Sequence, residues 1–429
     1  MVKKIIENLN SPIPNISLAL FRVCFSFAIL IQTYYFFTTN FINENIVKPL
    51  LLFPFIEGID PISETNLIIL SYIMLCANIG MLLNKFNRLS TFIFFCCFTY
   101  FWILDKGYFN NHYYFISLIC FLLIIVNTKI SFQKKIYIPK VQLYSLQCMI
   151  IIVYFISGLN KINPYWLFEF QPMKHILEIK SEIINNPFLK KEFTIFITTY
   201  LGLFFDLFIG PLLLINKTRI IGFLLAFIFH ILNYYLFIDV GEIGIFPILM
   251  ITTLILFIPT KKIVKSLALK DDAKLNYSFS KNLNLFILFF LVIQLILPFR
   301  HVFFKGDVDY NGIGQRFSWR MKIMYKESDI NYFIYNPMNK EKYEVDVTKM
   351  LTHKQYNNLK YFPDLIVPLA KKIKTEAKDK FGIKNAKVTC EYRLAFMGKN
   401  EQLFFSPSIN LANLSTQKPT NKWLWEQKK

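Results

Sequence analysis

Lys161 closes an apolar run: Met149 to Leu159 leads directly into Asn160-Lys161-Ile162-Asn163-Pro164-Tyr165-Trp166. A lysine at that margin has two readings. As an anchor, it lays its stem along apolar surface and keeps its ammonium among the headgroups. As a base, it is held where poor solvation disfavours the charged form, so that a neutral amine can take a proton from a substrate. Other polar groups fall near the same level. Asp105, Lys106, Asn110, Asn111 and His112 lie in one connection, Trp166 follows Lys161, His230 and Asn233 sit one helical turn apart, and His301 ends the last apolar run. Polar groups at membrane depth are costly and usually functional. Their convergence on one membrane face suggests a cavity opening to the outside.

Each of these groups also has a plainer reading. His112 and His230, taken singly, are as compatible with helix packing as with chemistry. Arg22 lies under two turns from the inner surface, where snorkelling is expected, and Asp206 sits at a similar depth in its own run. An ion pair between Arg22 and Asp206 is the structural alternative to a catalytic role. Tyr154, Trp102 and the phenylalanine stripes read as lipid-facing or core aromatics. No metal spacing such as HExxH occurs, and no glycine-rich phosphate loop.

The elements that must position these residues are membrane helices. The chain has 429 residues, 54% of them apolar, with 47 Phe and 23 Tyr, and a mean hydropathy of +0.40. That is too much apolar side chain for a soluble core and points to the lipid bilayer as solvent. Nine spans are expected, near 16–37, 66–84, 89–105, 112–128, 141–159, 193–215, 220–238, 244–260 and 283–299. The net charge of +20 does not signal nucleic acid, because its placement alternates. Lys3 and Lys4, Lys85 and Arg88, Lys129 to Lys140, Lys217 and Arg219, and Lys261 to Lys281 fill every second connection; the intervening short ones carry only Lys48 and Lys106. Positive-inside alternation places the N terminus in the cytoplasm and everything after Arg300 on the far side. A cleaved signal peptide is not expected, since the first apolar run contains Arg22 and no small-residue cleavage site. Six of the seven cysteines fall inside spans, so no disulfide framework is expected.

The fold expected is therefore mostly α: a polytopic membrane bundle over 1–300, then a small α+β extramembrane domain over 301–429. In that domain strands are expected at 316–325, 332–335, 342–348, 387–394 and 402–411, with a turn at 336–339 and a helix at 365–380. The tail from Ser415 reads as loose.

Several stretches resemble the vitamin K-dependent gamma-carboxylase family, whose membrane part is the horizontally transferred transmembrane (HTTM) domain. They are Ser17-Leu18-Ala19-Leu20-Phe21-Arg22, Leu104-Asp105-Lys106 through Asn110-Asn111-His112, Ile152 through Lys161, Phe205-Asp206-Leu207, Phe229-His230-Ile231-Leu232-Asn233, Leu297-Pro298-Phe299-Arg300-His301 and Phe317-Ser318-Trp319. The most specific are Asn110-Asn111-His112 and the pattern SGxxKxxxxW from Ser157 to Trp166. The resemblance covers most of the chain, and Arg320 after Trp319 fits a short, bacterial-type member. It implies that Lys161 deprotonates a reduced naphthoquinone of the vitamin K or menaquinol type, to which O2 then adds. The strongly basic alkoxide so formed takes a proton from the γ carbon of a glutamate in a protein or peptide, and the carbanion captures CO2. His112 would stabilise the charged oxygen intermediate, while Asn111, His230, Asn233 and Arg320 would belong to the pocket. Where the family often has two adjacent cations, this chain has Asn160-Lys161. The expected activity is thus a gamma-glutamyl carboxylase-like lyase and quinol epoxidase of the bacterial inner membrane. The rivals are a transporter or channel and a noncatalytic quinone-binding protein.

Overall fold

The computed structural model describes residues 2–240, 243–271, 281–416 and 423–424. The expected loose tail lies largely outside the described residues. The chain is mostly helical and forms two compact units. The first comprises residues 1–39, 65–100 and 111–298; the second comprises residues 40–64, 101–110 and 299–429.

Among the described residues six helices are long and apolar enough to cross a membrane: Ile16–Thr38, Glu64–Leu82, Lys140–Asn160, Glu192–Leu214, Arg219–Phe237 and Asn282–Phe303. A seventh crossing arises if Phe246–Phe257 and Thr260–Ser266, bent by 84°, count as one span. The nine expected spans are not all matched. At 89–105 and 112–128 stand Asn87–Ile103 and Asn111–Ile125, of 17 and 15 residues. At 1.5 Å per residue these reach only about 25 and about 22 Å, short of a hydrocarbon core of about 30 Å. Asn111–Ile125 is buried along most of its length, from His112 through Leu123. Its apolar composition therefore answers to protein neighbours rather than to lipid.

Two features of the first unit fix the helices that matter for chemistry. Lys140–Asn160 and Glu192–Leu214 run against each other through small residues. A Cβ on Gly158 would come within 2.8 Å of Leu207, and one on Gly210 within 2.9 Å of Ile151, so glycine is what permits the close approach. Arg22 is fully buried and donates to the carbonyls of Met81 and Leu83 at the C-terminal end of Glu64–Leu82. A cation suits that end of a helix. The alternative Arg22–Asp206 pair is thus not formed: Arg22 Nη1 donates to main-chain oxygens, while its Nε and Nη2 are buried without a hydrogen-bond partner, and Asp206 is paired elsewhere.

The second unit contains one antiparallel sheet, in the order Lys342–Val345, Lys326–Tyr335, Lys387–Phe396, Gln402–Leu403. Ile330, Tyr332 and Ile334 are buried in alternation, as are Val388, Cys390, Tyr392 and Leu394, the period of a half-buried strand. Helix Ile366–Phe381 lies beside it, its Ile366 carbonyl accepting from the Tyr332 hydroxyl at 3.2 Å. Residues 316–325 do not form the expected strand. Phe317, Trp319 and Lys322 have φ of 61°, 56° and 50°, and each left-handed residue turns the chain out of an extended path. The expected strand at 402–411 shrinks to two residues before Ser406-Pro407, since proline has no N–H to give a ladder.

Candidate functional site

Lys161 is the residue just past the end of Lys140–Asn160, and its side chain is buried within the protein. Nζ donates to the Asp206 carboxylate and to Ser157 Oγ at 3.3 Å. The two ionic residues are 6% and 4% exposed, so this is a buried ion pair. Asp206 lies fourteen residues past Glu192 and eight before Leu214, hence about 21 and about 12 Å from the two ends of its helix. The end of the Lys161 helix therefore faces the middle of its neighbour. A lysine reckoned from the end of its own helix stands at the margin of hydrocarbon; reckoned from its partner helix, it stands deep.

The chain after Lys161 covers it. Asn163 caps the short helix Pro164–Leu167, its side chain accepting from the Trp166 N–H at 3.0 Å, with Pro164 in the first turn. That turn places the Trp166 ring 5.3 Å from Lys161 Nζ, a distance at which ring and cation attract. The indole N–H in turn donates to the Thr199 carbonyl at 3.1 Å. Tyr200 donates its hydroxyl to the Leu167 carbonyl at 2.8 Å. The roof is thus tied to the helix that carries Asp206.

One face of Lys140–Asn160 continues the cluster. Tyr154, Ser157 and Lys161 recur at helical spacing. Tyr154 is buried and its hydroxyl is 2.6 Å from His230 Nε2. Its ring meets Phe205, the neighbour of Asp206, edge-on at 5.6 Å, and Phe205 stacks on Phe229 at 3.7 Å. The structure therefore brings Lys161 and His230 into one cluster with three residues given no site role from sequence: Asp206, Ser157 and Tyr154. Asp206 carried a usable signal, as the lone charge between Phe193 and Leu214. Asn233, one turn beyond His230, is half-buried.

His112 and Asn111 open the helix Asn111–Ile125. His112 is buried with its ring edge-on to Tyr113, centroids 4.6 Å apart, and Asn111 Oδ1 is buried with no hydrogen-bond partner. Gly244, at φ 56°, lies against the imidazole: a Cβ there would fall 2.8 Å from His112 Cε1. Alanine would meet both the left-handed backbone and the ring. Gly244→Ala is expected to shift the imidazole and lower turnover roughly ten- to a hundredfold. Membrane-level immunoblots beside the activity assay separate this from loss of protein.

The remaining expected residues belong to the second unit. Asp105 caps the turn Lys106–Tyr108 by accepting from Gly107 N at 2.6 Å, and it also accepts from Gln355 Nε2. Burial pushes its carboxyl up to about 7. Arg320 Nη1 donates to Asp309 Oδ1 at 2.5 Å, and its Nη2 lies 3.4 Å from His301 Nε2. Arg320 Nε is buried without a partner. Burial raises the Asp309 carboxyl to about 6, a rise the Arg320 charge opposes. Beside it Lys326 donates to the Tyr310 carbonyl at 2.7 Å, and burial lowers its amine to about 7.

Comparison with known families covers most of the chain. The family model of the HTTM domain matches residues 10–261, and that of the vitamin K-dependent gamma-carboxylase lumenal domain matches residues 280–429. No solved structure matches.

Proposed function

The chain belongs to the vitamin K-dependent gamma-carboxylase family, and from that premise we propose that it is a gamma-glutamyl carboxylase-like membrane enzyme. The reaction is oxygenation of a reduced naphthoquinone coupled to proton abstraction from, and carboxylation of, a glutamate side chain. The observation that carries this reading is the buried amine of Lys161, roofed by Trp166 and continued along the same helix face by the Tyr154, Phe205 and Phe229 rings. Such surroundings suit the hydroxyls and flat ring of a lipid quinol, and the unpartnered Asn111 Oδ1 is the acceptor a phenolic O–H would need. When bound, the reduced naphthoquinone supplies, together with O2, the strong base that a glutamate γ carbon requires, and CO2 supplies the new carboxyl.

The protein's part is then proton handling and charge placement. Lys161 Nζ takes a proton from a substrate hydroxyl. His112, fixed at the start of its helix, is the donor for negative charge developing on oxygen. Asn111, His230 and Asn233 line the pocket, and Arg320 is a substrate-binding residue of the C-terminal domain. Tight packing around Lys161 keeps water from quenching a strong base.

The topology that goes with this reading has a cytoplasmic N terminus, the membrane crossings within residues 1–300, and residues 301–429 outside a bacterial inner membrane. The alternation of Lys and Arg supports it. The test is reconstitution in liposomes with reduced menaquinone under O2. Quinone epoxide and, with labelled CO2 and a glutamate peptide, a carboxyl-sized mass gain are the expected products. Epoxide without peptide labelling would move the acceptor away from glutamate, and neither product would overturn the reading.

A further inference from the structure

We propose that Asp206 is the proton store of this site: a positioning residue that takes Lys161's proton and so leaves the amine free to act. The inference rests on the reading of Lys161 as the base. A base must finish with one proton more than it began with, and an ammonium has no room for one. The buried pair has a single vacancy, on the carboxylate that Nζ already donates to. Transfer along that hydrogen bond breaks one Nζ–H bond, forms an O–H bond on Asp206 Oδ2 and leaves a lone pair on Nζ. The lone pair then takes the proton of a substrate hydroxyl. At the end Asp206 is a neutral acid, Lys161 an ammonium, and the substrate oxygen an anion facing it.

The charge arithmetic favours this route in an apolar place. The pair begins neutral and ends at +1, and the oxyanion contributes −1, so no net charge is created where charge is most costly. Position agrees with role. Asp206 is held at mid-helix opposite Lys161 by the close approach at Gly158 and Gly210, and Ser157 Oγ gives Nζ a second fixed contact at 3.3 Å. Among the described residues, the titratable groups next in the cluster are Tyr154, from the Lys161 helix, and His230, from Arg219–Phe237. They are bonded to each other, which leaves the carboxylate as the group in contact with the amine.

The experiment is the rate of reduced menaquinone oxygenation against pH in liposomes holding wild type, Asp206→Asn, Asp206→Glu or Lys161→Ala. Asp206→Asn is expected to lower kcat about 100-fold with KM within about threefold, and to displace the acid limb of the profile by about one pH unit or more. Asp206→Glu is expected to stay within about tenfold of wild type with the original limb. An Asp206→Asn profile that superimposes on wild type, or a change in KM alone, overturns the proposal. Should Asp206→Asn not accumulate in the membrane, Asp206→Glu decides: a loss beyond about 100-fold at normal protein level overturns it, and near-normal turnover supports it. Lys161→Ala separates the two readings. Full activity there removes the base itself, whereas an inactive Lys161→Ala beside an unaltered Asp206→Asn removes only the proton store.

Discussion

Lys161→Ala is expected to lower quinol oxygenation about 10³-fold, the middle to upper part of the range for removing a general base. The substitution also has a structural consequence, because it leaves Asp206 buried and unpaired. Removing one partner of a buried ion pair costs about 3–5 kcal/mol, enough to lower the amount of folded protein. Activity must therefore be normalised to membrane level. Two companions separate chemistry from folding. Lys161→Ala with Asp206→Asn removes both charges and should restore protein level while remaining inactive. Lys161→Arg keeps the cation next to Asp206 but cannot release its proton at working pH, so it should accumulate and fail to turn over. Activity in the arginine variant near that of wild type would show that Lys161 acts only as a positive charge.

The sequence makes the Lys161 stretch legible because SGxxKxxxxW and the apolar run before it are local features. It makes His230 legible because a histidine in a span stands out. Asp206 is not legible in the sequence for a geometric reason. Its depth along its own helix is similar to that of Arg22, whereas its partner is set by the neighbouring helix, which ends opposite the middle of Glu192–Leu214. That offset depends on the close contacts at Gly158 and Gly210, and nothing in a single sequence says which helix a glycine will meet. Tyr154 is, in the sequence, one aromatic among many; its hydrogen bond to His230 distinguishes it only once the helices are side by side. In the C-terminal region, alternation identified Lys387–Phe396 and the paired segment ending at Tyr335, since period two is a direct trace of one buried face. The strand expected at 316–325 does not form. There the apolar side chains follow left-handed turns rather than a strand, and Trp319 is buried completely without any sheet partner being required.

Lys326→Met is expected to stabilise the protein below neutral pH, although it removes a hydrogen bond. Lys326 is 2% exposed and burial lowers its amine from 10.5 to about 7. Folding therefore opposes protonation, and the linkage has a definite sign. Between about 7 and 10.5 the unfolded chain holds a proton on this lysine that the folded chain does not, so stability rises with pH across that window. Below about 7 both states are protonated, and the full penalty of a buried ammonium is present. At about 1.36 kcal/mol per tenfold change in proton affinity the penalty is on the order of 5 kcal/mol. Methionine escapes that penalty and fills a similar volume, but it leaves the Tyr310 carbonyl without its 2.7 Å donor, a loss of about 1–3 kcal/mol. Asp309 works in the opposite direction. Its carboxyl is raised to about 6, so stability falls as pH rises from 3.8 towards 6, and its bond to Arg320 persists in the variant. The net expectation is a gain of about 2–4 kcal/mol at pH 6.5 that shrinks and then reverses by pH 10, where wild-type Lys326 is neutral in the folded state and still mostly protonated in the unfolded one, so that about 1 kcal/mol of the penalty remains and the lost hydrogen bond outweighs it. Thermal unfolding of the full chain in detergent at the two pH values measures it. A methionine variant less stable than wild type at pH 6.5 would show that the Tyr310 hydrogen bond outweighs the burial of the charge.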